Sequence, residues 1–140
     1  MLRDTTSCHT EAGRDQLTAR YRVPEPPVSF APALRDIAHA AIDVSDGLIA
    51  DLGHLAAASG ARIVVQGEQV PLSAPLRALW GDAALARAVA AGDDYQIAFT
   101  APPGLEGPFT AIGRVEAGEG VDLLLAGQKI ALPSGGYRHF

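Results

Sequence analysis

The apolar residues of this chain recur at helical spacing in some segments and in alternation or short β-branched runs in others. Helical spacing predicts helices at about residues 30–40, 47–59, 74–80 and 81–91. Alternating or β-branched runs predict strands at about 62–66, 95–100 and 109–115, and a hairpin in which 121–125 pairs with 128–132 around Ala126-Gly127. The apolar run from Ala40 to Val44 predicts a short buried strand that leads directly into the second helix.

The order of these elements indicates the fold class. Helix–strand–helix–strand precedes a run of strands, which predicts an α+β fold with helices packed on a mixed β-sheet. Residues 1–18 are polar and show no periodicity, so we expect a loose, disordered leader that is at most weakly helical. Three prolines within Pro24 to Pro27 predict an extended linker after it. The folded domain is expected to span 19–140.

Composition narrows the function. The chain has 140 residues, enough for one domain with a real core, and it is 48% hydrophobic and 19% charged, so it is not a disordered protein. A net charge of −5 without a Lys/Arg cluster argues against nucleic-acid binding. The single cysteine, Cys8, rules out a disulfide within the chain. No signal peptide or membrane span is visible, so the expected location is the cytoplasm.

Two carboxylates flank a hydroxyl at the turn from the short strand into the second helix. These residues are Asp43, Ser45 and Asp46, and Gly47 follows them. Closely spaced acids at such a turn suit Mg²⁺, which prefers oxygen ligands and often bridges to phosphate. Alternatively, Asp46 only caps the helix, because Asp is a favoured N-cap residue. The residues alone leave both interpretations open.

A second acidic pair, Asp93-Asp94, lies between the fourth helix and the strand that follows it. In a loop both carboxylates can converge on one ligand, whereas a polar turn with solvated acids is the simpler alternative. Neither a P-loop nor a dinucleotide-binding glycine motif occurs in the sequence, and no Ser–His–Asp triad can be assigned.

Several motifs together resemble the C-terminal half of thiamine-monophosphate kinase, an enzyme of the aminoimidazole ribonucleotide synthetase and selenophosphate synthetase superfamily. In the order of the family they are Arg20-Tyr21-Arg22-Val23-Pro24-Glu25-Pro26, Ala41-Ile42-Asp43-Val44-Ser45-Asp46-Gly47-Leu48, Asp51-Leu52-Gly53-His54-Leu55, Gly92-Asp93-Asp94-Tyr95, Ile112-Gly113-Arg114-Val115 and Gly136-Tyr137-Arg138-His139-Phe140. The second and fourth motifs are the most specific pair. With the ending, they favour this kinase over other members of the superfamily.

The resemblance implies a fold and a reaction. The fold would be that of the C-terminal domain of aminoimidazole ribonucleotide synthetase, a partly ferredoxin-like mixed sheet with packed helices. The reaction would be the Mg²⁺- and ATP-dependent phosphorylation of thiamine monophosphate to thiamine diphosphate. The match implies binding roles for six residues: magnesium at Asp43 and Asp46, ATP phosphate at Ser45, and thiamine monophosphate at Asp93, Asp94 and Tyr137. A positively charged thiazolium suits acids and an aromatic face.

The sequence also departs from the family. Gln96 and Arg138 stand where Glu and Asp are usual, and the segment from Thr100 to Phe109 is too short for the family's helix. The family's N-terminal domain supplies most metal ligands and the nucleotide platform, and it forms the dimer, but here about 18 polar residues precede the matching region. We therefore expect little or no kinase activity from this chain alone, and either a separate N-terminal domain as partner or self-association.

Two other interpretations stay open at this stage. One is a binding or scaffold module that kept the fold and lost catalysis. The other is a different enzyme of the superfamily.

Overall fold

The computed structural model describes residues 11–131, which form five α-helices, three short 3₁₀ turns and six strands. The helices are α1 (Glu11–Arg22), α2 (Ala31–Ile37), α3 (Leu48–Ser59), α4 (Ala74–Trp80) and α5 (Ala84–Ala90), and the 3₁₀ turns are Val28–Phe30, Gly67–Gln69 and Gly81–Ala83. The strands are β1 (Ala40–Asp43), β2 (Arg62–Gln66), β3 (Ile97–Thr100), β4 (Gly113–Glu116), β5 (Gly120–Leu125) and β6 (Gln128–Lys129). None of the helices in this range is long and apolar enough to cross a membrane.

The strands form two sheets. In the first, β1 pairs antiparallel with β3, so that Ala40 lies opposite Thr100 and Asp43 opposite Ile97. The second has the order β4-β2-β5-β6, with β2 antiparallel to β4 but parallel to β5. A mixed sheet with packed helices confirms the predicted α+β class.

Helix α3 packs against β1, β2, β5 and α5 and is the central element of the core. Its buried face carries Leu52, Leu55 and Ala56 at helical spacing. Opposite it, Val65 of β2 and Leu123 of β5 are paired across the sheet and are both fully buried. Burial of apolar side chains from both sheets against one helix holds the two sheets together.

Two turns have left-handed backbone, and one of them is the predicted hairpin turn. Gly60 ends α3 in the left-handed conformation, with φ 58° and ψ 39°. The β5–β6 hairpin turns at Ala126 and Gly127, whose φ angles of 49° and 74° are both positive, as a tight hairpin turn requires.

The sequence predicts a disordered or at most weakly helical leader up to residue 18, and residues 11–18 lie in α1, which crosses the predicted boundary. Good helix formers such as Ala, Gln, Leu and Arg occupy this segment, and Pro24 follows its end. The helix has no buried residue, so no apolar periodicity reveals it. Residues 1–10 lie outside the described residues, and the division of the chain into leader and domain stays a prediction.

The first predicted helix is shorter than expected. It ends at Ile37 because Ala38 adopts an extended conformation, with ψ 134°, and Ala40 already pairs with β3. At its start, the N-cap residue is Phe30, which makes no side-chain hydrogen bond to the helix. Pairing between strands outweighs the local helix preference of alanine here.

The strand expected at 109–115 begins only at Gly113. Phe109 instead packs against Phe99 and Phe30, with ring centroids 5.3 and 5.9 Å away. This aromatic cluster ties the loop after β3 to the segment before α2. Phe109 therefore packs against other aromatic rings and does not take part in strand pairing.

Because only some side chains of β5 lie in the core, truncating different residues of this strand should lower the free energy of unfolding by different amounts. Leu123→Ala should lower the free energy of unfolding by about 2–5 kcal/mol, because it removes a fully buried side chain. The matched control, Leu125→Ala, alters a side chain that is 42% exposed on the same strand and should cost far less. Urea unfolding followed by circular dichroism measures both. Equal losses would contradict this placement.

Candidate functional site

The two acidic loops predicted from the sequence lie side by side. The loop after β1 and the loop before β3 continue the pairing of these strands through backbone hydrogen bonds. Val44 N–H donates to the Gln96 carbonyl, Tyr95 N–H to the Val44 carbonyl and Asp93 N–H to the Ser45 carbonyl, each at 2.8 Å. Strand pairing thus places the carboxylates of the two motifs on neighbouring loops.

Two glycines allow this close approach. Gly47, with φ 118°, is buried, and a Cβ there would lie 3.0 Å from the Ala90 carbonyl oxygen. A Cβ on Gly92 would lie 2.5 Å from the Ser45 carbonyl oxygen, closer than real contacts permit. A side chain at Gly92 would therefore push the two loops apart.

The loop after β1 is hydrogen-bonded to a buried acid of α3. Asp51 is 3% exposed, and its Oδ2 accepts the backbone N–H groups of Ser45 at 2.9 Å and Asp46 at 3.0 Å. Its position in the first turn of α3 also suits the positive end of the helix dipole. Asp51 therefore fixes the backbone that carries the predicted phosphate and metal residues.

Sequence reasoning did not single out Asp51 as a site residue. The available signal was its place on α3: with Leu48, Leu52 and Leu55 it occupies the stripe that faces the core. A carboxylate at a core-facing position needs hydrogen-bond partners, and here the preceding loop supplies them.

Three potential metal ligands converge beside this loop. One ligand atom each from Asp46, Asp51 and His54 lie within 4.8 Å of one another. Carboxylate oxygens fit a hard cation such as Mg²⁺, whereas an imidazole is a less usual ligand for it. Asp43 is not part of this group; it ends β1 in an exposed position.

The second loop places an acid against a phenol. The Tyr95 hydroxyl donates to Oδ1 of Asp93 at 3.1 Å. This hydrogen bond raises the pKa of Tyr95, and the negative charges of Asp93 and Asp43 raise it further.

Asp94 lies in a different environment. Burial of its carboxyl group raises the pKa of Asp94, and the positive charge of Arg20 partly offsets that effect. Arg20 belongs to α1 and forms an ion pair with Glu25, with Nη1 and Oε2 at 2.7 Å. Helix α1 therefore brings a cation towards the second loop.

Of the six predicted site residues, the structure describes five: Asp43 at the end of β1, Ser45 and Asp46 in the loop after it, and Asp93 and Asp94 in the loop before β3. Tyr137 lies outside the described residues. The binding roles of all six stay predictions.

Comparisons with known proteins give consistent relatives, although no protein-family model matches the chain. The thiamine-monophosphate kinase of Salmonella typhimurium is 37% identical over all of this chain and 47% of its own length. That of Aquifex aeolicus is 38% identical over 89% of this chain and 41% of its own length. The chain thus spans less than half the length of these curated relatives.

Solved structures give the same result. A structure of AaThiL complexed with AMPPCP and TMP superposes with a TM-score of 0.78 at 36% identity, over 91% of this chain and 42% of the other. The crystal structure of thiamine-monophosphate kinase from Stenotrophomonas maltophilia gives a TM-score of 0.77 at 37% identity, over 91% and 43%.

The support from Asp51 is open to a stability test. Asp51→Ala should lower the free energy of unfolding by about 1–3 kcal/mol, because the two N–H groups of the loop lose their acceptor. Asp51→Asn keeps an acceptor oxygen and should lose less. Asp43→Ala, at an exposed position on the neighbouring strand end, should change stability by no more than about 0.5 kcal/mol. Chemical denaturation measures the three variants. A larger loss in Asp43→Ala than in Asp51→Ala would contradict the stabilisation of the loop by Asp51.

A pair of glycine substitutions tests the loop contact. Gly92→Ala should destabilise the fold by about 1–3 kcal/mol, because its Cβ meets the Ser45 carbonyl oxygen. The matched control is Gly53→Ala inside α3, where a Cβ meets nothing within 4 Å; it should stabilise the fold by about 0.5–1 kcal/mol. Thermal unfolding measures both, and a neutral Gly92→Ala would refute the close approach of the loops.

Proposed function

This chain belongs to the thiamine-monophosphate kinase family, in which it corresponds to the C-terminal part, and on that basis we propose that it contributes one half of a thiamine-phosphate kinase site. The enzyme would transfer the γ-phosphoryl group of ATP to the phosphate of thiamine monophosphate and form thiamine diphosphate. The observation that carries this proposal is the hydrogen-bonded pairing of the segment from Asp43, at the end of β1, to Asp46 with the loop that holds Asp93 and Asp94.

The donor set at the first loop supports a magnesium role. Asp43 and Asp46 are the proposed ligands, and Asp51 holds the loop in place through Ser45 and Asp46. When bound, Mg²⁺ would neutralise phosphate charge as it develops during transfer. Ser45, on the same loop as Asp46, would contact an ATP phosphate.

The second loop is the proposed thiamine-phosphate side of the site. Asp93 and Asp94 would attract the thiazolium cation, and Tyr137 would add an aromatic face to it. A phosphate oxygen of the substrate would be the nucleophile, so the reaction requires no nucleophilic Ser or Cys of this chain. The chain's task is to position two anionic phosphates near each other and to bind the cationic ring.

We propose that turnover needs carboxylates beyond those of this chain. The group of potential metal ligands in residues 11–131 contains Asp46, Asp51 and His54, and one Asp51 oxygen is already engaged by two N–H groups. Such a group is too small to neutralise a triphosphate and a second phosphate. A further domain, on the same polypeptide or on a separate one, would supply the rest. Self-association and a cytoplasmic location stay predictions.

Calorimetry tests the proposed site. With Mg²⁺ present, the chain should bind thiamine monophosphate with Kd at or below ~1 mM, and EDTA should abolish the signal. Asp46→Asn should weaken binding by about tenfold or more, because a proposed ligand oxygen is lost. The control Asp82→Asn alters an acid in the turn before α5, outside both loops, and should bind like the wild type.

The outcomes separate the alternatives. No binding by the wild type at millimolar ligand would overturn the proposed site and favour a scaffold module. Turnover of Mg-ATP and thiamine monophosphate by the purified chain at an ordinary enzyme rate would overturn the need for a further domain. An equal loss in Asp46→Asn and Asp82→Asn would refute the role of Asp46.

A further inference from the structure

The loop before β3 has an unusual backbone. Asp93 and Tyr95 both have positive φ angles, 63° and 54°. Asp tolerates the left-handed region, but a residue as bulky as Tyr rarely adopts it. Within residues 11–131 the other non-glycine residue with positive φ is Ala126, in the hairpin turn where such angles are required.

Contacts with the other acidic loop hold this conformation. Asp93 N–H and Tyr95 N–H donate to the carbonyls of Ser45 and Val44, both at 2.8 Å. These bonds fix the backbone on either side of Asp94 and orient the side chains of Asp93 and Tyr95 relative to β1. Strained backbone that the surroundings hold in place is typical of functional sites.

Burial does not account for the strain at Tyr95, because this residue remains 41% exposed. What the conformation provides is a specific contact, the hydrogen bond from the Tyr95 hydroxyl to Oδ1 of Asp93 at 3.1 Å. The hydroxyl engages one oxygen of a carboxylate that is otherwise exposed. An exposed Asp without such a contact samples several rotamers.

We propose that Tyr95 is a positioning residue whose hydroxyl fixes the Asp93 carboxylate to receive a cationic ring, so that a thiazolium is selected over a neutral ring of the same shape. This inference rests on the proposed function. A carboxylate held in one orientation loses little conformational entropy when the cation binds, so the benefit appears as affinity for the charged ring.

The first arm of the test needs no ligand. The Hα–Hβ couplings of Asp93, measured by NMR in the full chain, should fit one staggered rotamer in the wild type and show rotamer averaging in Tyr95→Phe. That variant keeps the ring and removes only the hydroxyl. The couplings of Asp94 serve as the internal control and should be the same in both proteins. Averaged Asp93 couplings in the wild type would overturn the inference.

The second arm compares two ligands that differ in charge. Thiamine monophosphate carries a thiazolium, and its thiophene isostere carries a neutral ring. Tyr95→Phe should weaken binding of thiamine monophosphate by about tenfold, which is the effect expected from one hydrogen bond to a charged group. Binding of the isostere should change by no more than about twofold. Unchanged circular dichroism would show that the variant folds.

The results separate this inference from the proposed function. If the wild type binds thiamine monophosphate and Tyr95→Phe keeps the same preference for the charged ligand, the inference is wrong and the proposed function stands. If the wild type binds neither ligand, the proposed function is wrong and the inferred selection of a cationic ring is wrong with it.

Discussion

The antiparallel pairing of β1 with β3 is the constraint on which the candidate site depends. It brings together residues that are 54 to 60 positions apart in the chain, and three backbone hydrogen bonds extend it beyond the strand ends into the acidic loops. Carboxylates repel one another, so side chains alone would not hold these loops together. Backbone pairing, with glycine at Gly47 and Gly92 to permit the approach, supplies the attraction.

Helix α3 connects this site to the stability of the fold. One of its faces buries Leu52 and Leu55 in the core, and on the same face Asp51 holds the first acidic loop through two N–H groups. A buried carboxylate is tolerated because charge-assisted hydrogen bonds to backbone N–H groups compensate for lost hydration. These two hydrogen bonds therefore attach the loop that carries the proposed phosphate and metal ligands to α3.

Helix α1 and the linker after it are attached to the second loop by polar contacts. Arg20 pairs with Glu25, and the Gln96 side-chain amide donates to the Glu25 carbonyl at 3.3 Å. A Glu at position 96, which is usual in the family, is not a donor when ionised. The Gln found here therefore suits the position of this linker, and the positive charge of Arg20 offsets part of the rise that burial causes in the pKa of Asp94.

The sequence by itself determined most elements, the α+β class and the two acidic motifs, because apolar periodicity, glycine caps and hairpin turns are local signals. It could not reveal α1, which has no buried face, the early end of α2 or the late start of β4, where β1 pairing and the Phe30–Phe99–Phe109 cluster override local preference. Only the tertiary structure decided that Asp51 supports the loop of Ser45 and Asp46, and that Tyr95 holds Asp93. These contacts depend on backbone geometry set by distant strands, which no local pattern encodes.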